Sequence, residues 1–236
     1  MSCKSNRRIG EIGMSSVRII SKSVGACEEL TGKSMGESVA FIARVSNPGN
    51  QNNFLTSPKL LSYCMRSGHW SIFEQQFISM EIITSMAIGE QILRHTLRAQ
   101  KFSGRYAKFE YGYEACEARS QDEKNRQNSN DDLEKEAKES WRILMKSNFE
   151  KCFSDYEQAL SLGVCREQAR LLLPASTRTT MYLSGSLRLW IHYVQARAFA
   201  KGGAQGEHQE VAQKVLAIIL QEVPELTDYF ETLQKQ

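Results

Sequence analysis

The sequence predicts an α+β domain, with a mixed sheet of a few non-consecutive strands packed against long helices. Residues 77–83 alternate apolar and polar in the manner of a half-buried strand. Residues 186–199 and 207–223 repeat apolar side chains at helical spacing. No GxGxxG follows a strand, so a doubly wound nucleotide-binding sheet is not expected. With 236 residues, 41% hydrophobic and 24% charged, the chain can bury one large core. We expect a single domain over 14–236 and an N-terminal extension at 1–13.

In chain order, residues 17–20 read as a first strand and 38–45 as a helix. Between them, Thr31-Gly32-Lys33-Ser34 is similar to the end of a phosphate-binding loop, but six residues separate Gly25 from Gly32 where that loop has four, so a surface turn is expected. A helix over 58–67 stops at Gly68. The strand at 77–83 leads into a helix on which Gln91, Arg94, His95 and Arg98 fall at i, i+3, i+4 and i+7 and share one face, with Ile88, Ile92, Leu93 and Leu97 opposite. Residues 119–132 are almost wholly polar and read as a mobile loop. Asp131 or Asp132 then caps a long helix to about residue 162, with Trp141, Leu144, Phe149, Phe153 and Tyr156 among its apolar positions and Gly163 at its stop. A helix over 165–173 ends at Pro174, residues 179–183 form a short strand, and the helix at 186–199 buries Leu187, Ile191, Val194 and Ala198.

Composition excludes several functions. A formal charge of +3, spread along the chain, does not favour nucleic acid as a partner. The longest apolar run, 215–220, cannot span a bilayer, and the N-terminus has no signal-peptide core, so we expect a cytoplasmic protein with no membrane partner. Six cysteines without a CxxC, and four histidines without a zinc pattern, argue for reduced thiols and no metal. What remains is the striped face at 91–98, which offers guanidinium, imidazole and amide groups to a phosphorylated ligand. Lys101 to Tyr106 adds two cations, a hydroxyl and Gly104, where backbone can approach closely.

These residues carry a resemblance. HWSIFE at 69–74 resembles the H-x-[ST]-P-F-E element of the flavin-dependent thymidylate synthases, and RHTLRAQKFSGRY at 94–106 resembles their signature, R-H-R, seven residues, then S-x-R-Y. Ala43-Arg44-Val45-Ser46, KNRQNS at 124–129, EQARLLLP at 167–174, GSLRLWIHYVQAR at 185–197 and AQGEH at 204–208 follow in the family's order, over about nine tenths of the chain. The resemblance implies the family's fold and the reductive methylation of dUMP to dTMP. It also implies FAD, with NADPH and methylenetetrahydrofolate as co-substrates, and a homotetramer with shared sites. By motif position, the nucleotide contacts would be Gln91, Ser103, Gly104, Arg105, Arg170 and Arg197, with Arg197 and Ser103 catalytic and Arg197 stabilising charge on the pyrimidine. The flavin contacts would be Ser71, Glu74, Arg94, His95, Arg98, Arg188 and His192.

The signature departs from the family where Thr96 replaces its second arginine, with one residue fewer before Ser103, and where Lys101 replaces a Glu; Arg98 could fill the arginine's place. Ile72 replaces the Pro of the first element, and Ala175-Ser176 a Leu-Asn pair. None of the cysteines follows a proline, so thiolate addition to the pyrimidine has no candidate. The departures leave open a pyrimidine deoxynucleotide C5 hydroxymethyltransferase or a non-catalytic nucleotide-binding protein.

Overall fold

The computed structural model describes residues 14–110, 112–199 and 204–235, and the expected extension at 1–13 lies outside them. In chain order come β1 (Ser16–Lys22), α1 (Met35–Ala43), α2 (Ser57–Arg66), β2 (Phe77–Ser85), α3 (Met86–Ile92), β3 (Arg98–Lys101), β4 (Ser120–Gln121) and β5 (Ser129–Asn130). Then follow α4 (Lys135–Ser161), α5 (Arg166–Ala169), β6 (Arg178–Ser186), α6 (Leu187–Arg197), α7 (Gly206–Glu222) and α8 (Thr227–Gln234). The architecture is α+β. Its main sheet has the order β1-β2-β6-β3, and every pairing is antiparallel, so the sheet is not mixed. Ser85 at the end of β2 lies opposite Arg178 at the start of β6, so the long excursion between them returns to the end of the sheet it left and makes no crossover.

Alternation sorts the two faces of the sheet. Ile78, Met80, Ile82, Met181 and Leu183 join the core with Trp190, Ile191, Val194, Val211, Val215 and Ile219 of α6 and α7. The Trp190 indole N–H donates to the Ile78 carbonyl (2.9 Å), tying α6 to the strand it covers. On the other face Arg18, Glu81 and Tyr182 stand side by side across three strands. The Glu81 carboxylate accepts from Arg18 (2.7 and 3.0 Å) and from the Tyr182 hydroxyl (2.9 Å). Ile20, Phe77 and Tyr182 are exposed; Phe77 and Tyr182 lie on that open face.

Both long strands run directly into helices through a serine cap: Ser85 Oγ accepts from the Ile88 amide (3.3 Å) and Ser186 Oγ from the Leu189 amide (3.4 Å). Helix α1 begins earlier than expected because Ser34 and Glu37 form a reciprocal capping box, which places Gly32 in the turn before it. Neither Asp131 nor Asp132 caps α4. Glu134 stands at its N-cap without a side-chain bond, and Asp131 pairs with Lys138 instead. The polar segment at 119–132 is closed by the β4–β5 hairpin, with the Asp122 carboxylate accepting from the Lys124 and Asn125 amides (2.8 and 2.7 Å). Phe149, Phe153 and Tyr156 of α4 pack with Phe109 and Tyr113 in a second cluster, whereas Trp141, Ile143 and Leu144 are exposed.

The basic stripe does not form. Helix α3 ends at Ile92, the Leu93 amide donates to Gly89, those of Arg94 and His95 close tight turns, and Arg98 onward joins the edge of β6 as β3. Four ladder residues on an open edge outweigh one more helical turn, and only Gln91 of the expected face lies within the helix.

Candidate functional site

The expected site residues gather in three groups. The first lies where α3, α6 and α7 meet. Arg197 Nε donates to His95 Nε2 (2.9 Å), so the imidazole carries its hydrogen on Nδ1. Burial, then the neighbouring Arg197, His192 and Arg94 charges, push the His95 pKa down to about 4. The ring stands edge-on to Tyr193 and His208, at centroid distances of 4.9 and 6.1 Å. Gln91 completes the group: His208 Nδ1 meets its Oε1 (3.2 Å), and its Nε2 donates to Gln205 (2.8 Å). His208 is fully buried, and burial, then Arg197 and His95, lower its pKa to about 3. Tyr193, His208 and Gln205 were not among the expected contacts. AQGEH and the helix at 186–199 were legible as motifs, but nothing in their spacing says that α7 packs its first turn against Gln91.

The second group forms around the turn after β3. The Tyr106 and Ala107 amides both donate to the Ser103 carbonyl (3.0 Å each), curling Ser103, Gly104 and Arg105 against the EQAR segment. Arg105 pairs with Glu167 (3.1 Å) and Arg166 donates to the Tyr106 carbonyl (2.6 Å). A Cβ on Gly104 would strike the Phe109 ring and lie 3.3 Å from Arg170 Cδ, so the turn approaches Arg170 only as glycine. Ser103, Gly104, Arg105 and Arg170 are therefore neighbours, as the motif positions imply.

The third group borders a groove of about 690 Å³ beside the edge of the sheet, lined in part by Glu74, Thr96, Arg98, Ser184 and Ser186. Glu74 accepts from the Ser186 hydroxyl (2.5 Å) and from Arg188 (3.0 Å), so it braces the start of α6. Arg98 lines the same groove as Thr96 and supplies a cation there. His192 lies one turn beyond Arg188 on the exposed side of α6, and Arg94 and Ser71 are also exposed. Lys101, which stands where a carboxylate was expected, is paired with Glu90 of α3 and so brings no uncompensated charge. A groove of this size with the exposed Arg98 guanidinium at its wall can take an anionic group of a ligand.

Among the described residues the cysteines stand outside these groups, and burial raises the thiol pKa of Cys64 and Cys116. Among the described residues no group of His, Cys, Asp or Glu could hold a metal ion, and no helix is long and apolar enough to cross a membrane.

Comparison with known proteins bears on the family and the fold. The sequence model of the thymidylate synthase complementing protein family matches residues 30–225. A probable flavin-dependent thymidylate synthase of Paramecium bursaria Chlorella virus 1 is 42% identical over 191 residues, 80% of this chain and 88% of that one. The flavin-dependent thymidylate synthase of a Synechocystis strain is 43% identical over 187 residues, 79% and 85% of the two chains. In fold, the chain is similar to the UMP/dUMP methylase PolB of Streptomyces cacaoi crystallised with 5-Br UMP, with a TM-score of 0.81 at 21% identity over 96% of this chain and 98% of that one. Sequence, element order and the motif-bearing groups converge: the chain belongs to the thymidylate synthase complementing protein family.

Proposed function

We propose that the chain is a flavin-dependent thymidylate synthase that reductively methylates dUMP, with FAD as its flavin and NADPH and methylenetetrahydrofolate as co-substrates. The carrying observation is the Arg197 to His95 hydrogen bond, beside Gln91. A neutral imidazole accepts from Nε and thereby orients the guanidinium without opposing its charge. In this reading Arg197 stabilises electron density on the pyrimidine as its C5 becomes nucleophilic, a duty that a planar, permanently charged donor performs well. Gln91 helps to hold the nucleotide. Gly104, Arg105 and Arg170 take its phosphate, and Ser103 shapes the turn that presents them. Arg94, Arg98, Arg188 and His192 hold FAD, with Ser71 and Glu74 beside them. FAD, when bound and reduced, supplies the hydride that completes a methyl group on the carbon carried by the folate.

Dispersal of the contacts over three groups supports a site shared between subunits of a homotetramer. The exposed Phe77 and Tyr182 on the open sheet face, and Trp141, Ile143 and Leu144 on α4, are apolar surface of the kind that assembly covers. The test is the visible spectrum of the purified protein with FAD, before and after dUMP, alongside dTMP formation. A flavin band that shifts with dUMP, and turnover that falls about a hundredfold in Arg197→Ala with the fold intact, are expected. Nucleotide binding without flavin, or unchanged kinetics in the variant, would overturn the reading.

A further inference from the structure

Beneath the proposed nucleotide contacts, a row of side chains has a direction fixed from one end. Glu207 is held by Arg119 through both carboxylate oxygens (2.9 and 2.8 Å). An ionised carboxylate only accepts, so Gln205 must present its amide nitrogen to it, as it does (2.9 Å). The Gln205 oxygen then faces Gln91, which must donate through Nε2 (2.8 Å). Gln91 Oε1 is thereby turned to His208, and an oxygen can only receive, so His208 carries its hydrogen on Nδ1 (3.2 Å). His208 Nε2 is left as a bare lone pair, buried and without a partner among the described residues. Each assignment forces the next, from an ion pair to a fully buried ring.

We infer that His208, Gln205 and Glu207 are positioning residues that fix the amide of Gln91, so that it offers a ligand an N–H and not a carbonyl. Of the two Nε2 hydrogens one is given to Gln205, and the other is the group Gln91 can extend outward. A nucleotide meets that hydrogen with an acceptor: a phosphate, hydroxyl or ring carbonyl oxygen. A flipped amide would present an oxygen to the same atoms and repel them. The inference rests on the proposed role of Gln91 for its consequence in binding, but the direction of the row stands apart from that role.

Two measurements separate these layers. In ligand-free protein with ¹⁵N-labelled histidine, His208 should show a protonated Nδ1 and an unprotonated Nε2, and Gln205→Leu, which breaks the row at an exposed residue, should release a mixture of the two tautomers. An Nε2–H tautomer in the wild type, or a tautomer indifferent to Gln205→Leu, would overturn the row whatever the kinetics. In turnover, Gln205→Leu and His208→Leu should raise the KM for dUMP about threefold to tenfold with kcat nearly unchanged, and His208→Asn, which keeps a donor where Nδ1 stands, should restore the wild-type KM. An unaltered KM in both leucine variants of an enzyme that turns over dUMP would remove the binding role. If the wild type binds no dUMP, the proposed function falls and the tautomer result still decides the row.

Discussion

At the scale of single residues, the buried imidazole of His208 and the half-buried one of His95 make the chain sensitive to acid. His208 has an ordinary pKa of 6.5 and is lowered to about 3, and His95 moves the same way to about 4. Below 6.5 the unfolded chain takes up protons that the folded chain refuses, so stability is full above that pH and is lost as pH falls toward the folded values. For His208, which has no solvent contact, the loss between pH 7 and pH 5 should be about 2 kcal/mol. Thermal unfolding at the two pH values checks this: His208→Leu should flatten the dependence, and an equal slope in the variant would refute it. The paired Lys101 shows why a residue can be read correctly as a type and wrongly as a charge. Sequence alone marks it as a cation in place of a carboxylate, but its partner Glu90 lies eleven positions earlier, brought close because α3 and β3 both pack against β6.

At the scale of elements, α4 divides into two parts with different duties. Phe149 and Phe153 stack at 5.5 Å inside the second cluster, while Leu144 on the same helix is 62% exposed. Phe153→Ala should therefore cost about 3–5 kcal/mol. Leu144→Ala should stay within about 0.5 kcal/mol in the isolated chain. Urea midpoints that fail to separate the two would contradict the division. The same contrast explains what sequence could and could not tell. The strand at 77–83 and the helix at 186–199 were legible because period, apolar face and serine cap agree there. The stripe at 91–98 was not. Its helical spacing is real, but the unpaired edge of β6 drew residues 98–101 into a ladder, and a local pattern carries no record of a neighbour about eighty residues away. The cap of α4 failed for the reverse reason: Asp131 had a closer claim from Lys138.

Across the whole molecule, the question is whether one chain holds a complete site. The groups around Arg197 and Arg105 lie on different elements, the first between α3, α6 and α7 and the second between the turn after β3 and α5. If subunits share sites, Arg197→Ala and Arg105→Ala proteins, each nearly inactive, should regain roughly a quarter of the wild-type rate when co-expressed, since random assortment rebuilds intact sites from complementary chains. No recovery in isolated mixed oligomers would place every contact of a site on one chain. The family fold and the order of the motifs were readable from the sequence, whereas the grouping was not, because it depends on which helix ends converge.

The row of Arg18, Glu81 and Tyr182 on the open face of the sheet has one more consequence. A carboxylate on a protein surface ordinarily keeps a shell of water that must be stripped away before anything can cover it. Glu81 has already exchanged that water for the guanidinium and the phenol beside it, and is 5% exposed. A second molecule laid over this face would find the dehydration of that carboxylate already done when the chain folded, leaving Phe77 and Tyr182 to provide the adhesion.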